Sequence, residues 1–145
     1  MATETSSVEL VISSEIKLID LVHSAAEKMA EVAGFDSDDS LNLGLAVREA
    51  VINAIVHGNR QDPALKVLVK LTITESELAA QIVDHGSGFD PDQTPDPTDE
   101  AHVLMTSGRG LLLMRAFVGD VAFRKTTGGM EITLTKLVKQ AATDT

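Results

Sequence analysis

Residues 49–59 read EAVINAIVHGN, and the polar residues inside that apolar run govern how the whole chain is read. Glu49, Asn53 and His57 stand four residues apart. On a helix that spacing places the three side chains along one stripe. Ala50, Val51, Ile52, Ala54, Ile55 and Val56 take most of the remaining surface. A helix this apolar is buried, and a buried carboxylate, carboxamide or imidazole needs a partner. One reading makes the stripe a ligand-facing set. The other makes Gly58 the helix stop and sets His57 against the terminal carbonyls. The second accounts for His57 and Gly58 but leaves Glu49 and Asn53 without a reason.

Upstream of this run, Val8 to Ile12 reads as a first strand with weak alternation. From about Ser14 the period changes: Ile16, Ile19, Val22, Ala26, Met29 and Ala33 share one face of a helix that Gly34 stops. Phe35 to Ser40 is a connection with Ser37 as its helix N-cap and acids in the first turn. The central helix then spans about Asp38 to His57. Its Gly44 is either a point of close packing or a cost of about 1 kcal/mol relative to alanine.

Downstream, Gly58 to Ala64 is a loop. Val67, Val69, Leu71 and Ile73 alternate with Lys66, Leu68, Lys70 and Thr72 as a half-buried strand. Glu75 to Glu77 turns the chain into a second strand, Leu78 to Val83, completing an antiparallel hairpin. Residues 90–102, DPDQTPDPTDEAH, hold three prolines and no period, as expected for a mobile surface loop of a length that usually carries function. A short helix at about Leu111 to Phe117 precedes two strands, 120–125 and 130–136, around the turn Thr126 to Gly129. Antiparallel strands beside a few helices predict an α+β, two-layer sandwich, folded as a single domain over 1–145 with its core at about 8–138.

Composition narrows the function. Twelve Lys and Arg stand against 22 Asp and Glu, a formal charge of −10, which argues against direct nucleic-acid binding and against an anionic membrane surface. There is no cysteine, so thiolate metal sites and thiol nucleophiles are excluded. The N-terminus lacks the order of a signal peptide and no apolar run has bilayer length, so a cytoplasmic protein is expected. A polyanionic small ligand stays compatible, because backbone amides and one or two cations can hold it locally.

Two glycine sites suit such a ligand. Asp84-His85-Gly86-Ser87-Gly88-Phe89 follows a strand directly; its glycines expose backbone, and Asp84 can accept from a purine amino group. Thr106-Ser107-Gly108-Arg109-Gly110-Leu111 enters a helix whose first-turn N–H groups make an anion site. Either motif alone is a common turn. With Asn53 as an oxygen ligand for Mg²⁺ and Glu49 one turn away as a proton acceptor, the set describes a nucleotide site.

In these motifs the chain resembles the GHKL, or Bergerat, ATP-binding domain shared by gyrase, the Hsp90 chaperones, sensor histidine kinases and MutL. Within that superfamily it is most similar to the small anti-sigma-factor serine-protein kinases of bacteria. The resemblance implies a mostly antiparallel sheet covered on one face by helices, and ATP with Mg²⁺ as cofactors. It makes Glu49 the general base and Asn53 the metal ligand, with His57 on the same nucleotide-facing run. It places Asp84, Gly86 and Gly88 at the adenine. Thr106, Ser107, Gly108, Arg109, Gly110 and Leu111 are placed at the phosphates, and about 90–107 forms a lid. It further implies a homodimer that phosphorylates an anti-anti-sigma partner of the STAS type and holds a sigma factor. Two positions depart from the family pattern: Met130 stands where a Thr hydroxyl helps hold the base, and Arg109 separates the second pair of glycines. Both also fit an alternative, an ATP-binding partner-switch or anti-sigma module without phosphotransfer.

Overall fold

The computed structural model describes residues 5–85 and 110–138. Five strands form one antiparallel sheet: β1 (Ser6–Ser13), β2 (Lys66–Ile73), β3 (Glu77–Asp84), β4 (Asp120–Thr126) and β5 (Gly129–Leu137), in the order β1-β2-β3-β5-β4. The helices are α1 (Ile19–Ala33), α2 (Ser37–Asn53) and α3 (Gly110–Val118). The α+β class with helices on one face of an antiparallel sheet is therefore as expected.

Strand alternation shows why the sheet is one-faced. Val67, Val69 and Leu71 of β2, Leu78, Ala80 and Ile82 of β3, and Ile132 and Leu134 of β5 are buried. Their neighbours in sequence, among them Lys70, Gln81 and Thr133, are only half-buried. The buried row meets Leu43, Val47, Val51 and Ile55 from α2 and its extension, with Val22 and Ala26 of α1 and Met114 of α3 in the same core. β1 runs longer than Val8 to Ile12, and its weak alternation reflects its edge position: Val11 is 65% exposed while Ile12 is buried.

The first helix starts later than its apolar pattern predicts. Ser14 is buried and its hydroxyl donates to the Leu65 carbonyl at 2.7 Å, which keeps the chain extended there. A single 3₁₀ turn (Ile16–Leu18) intervenes, and Ile16 is exposed. Gly34 closes α1 in the left-handed region at φ 99°, as its position predicted. The N-cap of α2 is Asp36, not Ser37: its carboxylate accepts from the Asp39 N–H at 2.8 Å.

Gly44 is a point of close packing. A Cβ there would lie 2.7 Å from the His23 ring and 3.0 Å from Glu27 on α1. Beside it, Arg48 donates to Asp20 at 2.6 Å, a bond that holds the Asp20 carboxyl below its ordinary range. At the other end of α2, Lys136 donates to the Phe117 carbonyl at 2.9 Å and lies 3.7 Å from Asp39, tying β5 to α2 and α3.

If the sheet is covered on one face only, opposite faces of neighbouring strands respond differently to mutation. Leu71→Ala, at a fully buried site, is expected to cost about 2–5 kcal/mol. Val11→Thr is expected to stay within about 0.5 kcal/mol. Urea unfolding of both variants checks this, and equal losses would contradict the one-faced packing.

Candidate functional site

The site grows from the C-terminal end of α2. Glu49 is half-buried there and Asn53 is buried. The helix does not run on as a regular α-helix to His57. Residues Ala54–Gly58 form a π turn, in which the Asn59 N–H donates to the Ala54 carbonyl at 2.8 Å. A π turn holds more residues than an α turn. The four steps from Asn53 to His57 therefore fall slightly short of a full turn, where an α-helix would slightly overshoot one.

The turn ends in two non-glycine residues with left-handed backbone, Arg60 at φ 53° and Gln61 at φ 59°. Such residues cost on the order of 1–2 kcal/mol each. The Gln61 N–H recovers part of that with a 2.7 Å bond to the Ile55 carbonyl.

The geometry brings this helix end against the last residue of β3. Asp84 is 6% exposed. Its Oδ1 accepts from the Met130 N–H at 3.2 Å. Gly58 lies on one side of it, where an added Cβ would collide with the Asp84 carboxylate. Gly129 lies on another, where a Cβ would collide with the Asp84 carbonyl and come within 2.5 Å of Oδ1. In the sequence, Gly58 reads as a helix stop and Gly129 as part of a hairpin turn. Their packing against Asp84 was not legible, because it depends on which strands pair.

In the sequence, Asn59 reads only as loop. It is 1% exposed; its Nδ2 donates to Ser14 Oγ at 2.7 Å and to the Lys66 carbonyl at 3.0 Å. Its Oδ1 accepts from the His85 N–H at 3.0 Å. The signal available in the sequence was an amide side chain directly after a helix-ending glycine, inside the quoted run.

Two polar atoms at this end of the helix stand out. Asn53 Nδ2 and His57 Nε2 are buried and find no hydrogen-bond partner among the described residues. Buried polar atoms are nearly always satisfied, so both atoms have capacity for a partner beyond the described residues. An amide N–H and an imidazole nitrogen suit phosphate oxygens, and the Asn53 carbonyl end is a hard oxygen donor for Mg²⁺. The residues present thus fit a magnesium nucleotide. Of the other predicted site residues, Gly86, Gly88, Thr106, Ser107, Gly108 and Arg109 lie outside the described residues, as does the expected lid. Gly110 and Leu111 open α3.

The close approach at Asp84 makes a direct prediction. Gly58→Ala is expected to cost about 1–3 kcal/mol of stability, because the added methyl must displace the carboxylate or the turn. Gly128→Ala, where an added Cβ meets nothing within 4 Å, should stay within about 0.5 kcal/mol. Thermal or denaturant melts compare the two, and a neutral Gly58→Ala would contradict the contact.

Comparison with known proteins agrees with this fold. A profile of the histidine kinase-like ATPase domain matches residues 12–136. The chain is 27% identical over 150 residues to the serine-protein kinase RsbW of Bacillus velezensis, covering 99% of this chain and 93% of that one. It is 24% identical to the RsbW of Listeria monocytogenes, over 97% of this chain and 92% of the relative. A crystal structure of the RsbU and RsbW domains of a Mycobacterium tuberculosis protein superposes with a TM-score of 0.67 at 20% identity. That match covers 94% of this chain but 34% of the longer one, and it speaks to fold alone. The chain belongs to the histidine kinase-like ATPase domain family and is RsbW-like within it.

Proposed function

We propose that the protein is an ATP- and Mg²⁺-dependent serine/threonine protein kinase that acts as an anti-sigma factor and phosphorylates an anti-anti-sigma partner of the STAS type. The observation that carries this reading is the pair of buried polar atoms on Asn53 and His57 that have no partner among the described residues, at the helix end that packs on Asp84. Its RsbW relatives, named as serine-protein kinases, support the same reading. ATP supplies the γ-phosphoryl group, and Mg²⁺ neutralises charge on its phosphates.

The chain's own residues divide the work. Asp84, buried and held by the Met130 N–H, accepts from the adenine amino group. Asn53 provides an oxygen to the metal, and His57 adds a contact to the phosphate end. Glu49, half-buried at the mouth of the stripe, takes the proton from the acceptor hydroxyl. By the family resemblance, Gly86 and Gly88 would flank the base and residues 106–111 would receive the phosphates through backbone amides. The protein works in the cytoplasm as a homodimer and holds a sigma factor in the alternate state of the switch.

A second reading, an ATP-binding partner-switch module without phosphotransfer, uses the same site and differs only at Glu49. Met130, which replaces a hydroxyl side chain, favours it. Against that, Asp84 takes its bond from the Met130 main chain, which the side-chain change leaves in place.

Single-turnover phosphorylation of a small antagonist protein, run beside ATP titration and melts, tests the roles. Glu49→Gln should bind ATP nearly as the parent does and transfer phosphate roughly 10²–10⁴-fold more slowly. Asn53→Ala should lose Mg²⁺-dependent binding and transfer together. Asp84→Asn should weaken ATP binding by about 1–3 kcal/mol. A parent that binds ATP yet phosphorylates no partner would replace the kinase with the binding module. A folded Glu49→Gln protein transferring at the parent rate would remove the base assignment.

A further inference from the structure

The β2–β3 hairpin ends in an unusual way. Val67 lies opposite Asp84 in its register, so one step further would set Lys66 opposite His85. At that rung the Lys66 carbonyl instead accepts from Asn59 Nδ2 at 3.0 Å, and the His85 N–H donates to Asn59 Oδ1 at 3.0 Å. A carboxamide carries the same donor and acceptor as a peptide group. We propose that Asn59 is a positioning residue: its side chain forms the last rung between β2 and β3 and so fixes Asp84 in the ligand site. The proposal rests on the nucleotide reading above for its ligand, and on the hydrogen bonds alone for the rung.

The rung is fully engaged. The second hydrogen of Asn59 Nδ2 goes to Ser14 Oγ at 2.7 Å, and that hydroxyl donates onward to the Leu65 carbonyl at 2.7 Å. His85 Nδ1 also lies 3.1 Å from the Lys66 carbonyl. Since that carbonyl can only accept, Nδ1 carries the proton. Both Ser14 and Asn59 are 1% exposed and the bond between them is buried, so losing it leaves a buried group unsatisfied.

The consequence falls on Asp84. The peptide joining Asp84 to His85 is held at its N–H by Asn59 and crowded at its carbonyl by Gly129. The carboxylate of the same residue is held by the Met130 N–H and crowded by Gly58. Gly58 and Asn59 are adjacent, so one dipeptide sets both the side chain and the main chain of Asp84. The π turn before it and the left-handed pair Arg60–Gln61 after it deliver that dipeptide. Backbone strain of this kind persists where surrounding contacts over-determine the chain. Asn59 acts on a ligand only through Asp84, whereas a simple latch among β1, β2 and β3 would affect stability without that coupling.

The test uses the full chain with Asn59→Ala and the milder Ser14→Ala, each in the parent and in the Asp84→Asn background. In ligand-free protein, Asn59→Ala should speed hydrogen exchange of the His85 amide by roughly tenfold or more, read by NMR. It should weaken ATP binding roughly tenfold in the parent and leave affinity unchanged in the Asp84→Asn background, the mark of two residues acting as one. Ser14→Ala should shift both readouts the same way by a smaller factor, about threefold, and it decides the matter if Asn59→Ala does not fold. Parent-like His85 exchange in folded variants overturns the rung. Unchanged ATP affinity, or equal losses with and without Asp84, overturns the positioning role. A parent that binds no ATP overturns the proposed function instead, and the exchange measurement still judges the rung.

Discussion

The structure depends on a carboxylate placed where the core ends. Asp84 closes the inward-facing row Leu78, Ala80, Ile82, so by strand period its side chain must enter the space under the helices. A charged group there requires donors and leaves no room for extra carbon atoms. Two glycines supply the space and the Met130 N–H supplies a donor. Gly58 comes from the helical layer and Gly129 from the sheet, so the same carboxylate fixes how the two layers meet at this end of the domain.

Much of this was legible from periodicity. The alternation in β2 and the Leu78–Val83 run give the right strands and the right buried face, and the Ile19, Val22, Ala26, Met29 series gives the buried face of α1. The stripe of Glu49 and Asn53 was also readable, because an α-helix carries four-residue spacing faithfully. The π turn that carries His57 was not, because the helix widens at Ala54. Periodicity cannot foresee a π turn, which here sets Asn59 at its end.

Other differences share one origin. Ile16 looks apolar and in phase, yet it is exposed because the Ser14 hydroxyl commits the chain to Leu65, 51 residues away. Asp36 caps α2 in place of Ser37 because its backbone is extended at the required position. Gly129 and Asn59 read as turn residues locally; Gly129 becomes a site residue only once β5 lies beside β3, and Asn59 only once Lys66 and His85 meet at the end of the β2–β3 pair. Short-range pattern records what a residue prefers; the partner across the sheet decides what it does.

That partner crossing has a thermodynamic consequence. β1, α1, α2, β2 and β3 are contiguous in the chain, while β5 joins them from much further on: Met130 reaches Asp84 over 46 residues. Closing the seam between β3 and β5, like closing β1 onto β2, therefore carries a long-loop entropy cost, and the candidate site straddles it. A molecule bound at Asp84 requires both sides of the seam to be in place, so its binding free energy adds directly to the cohesion of the two halves, as RT ln(1 + [L]/Kd). Occupancy of the site and closure of the sheet are in this sense a single equilibrium.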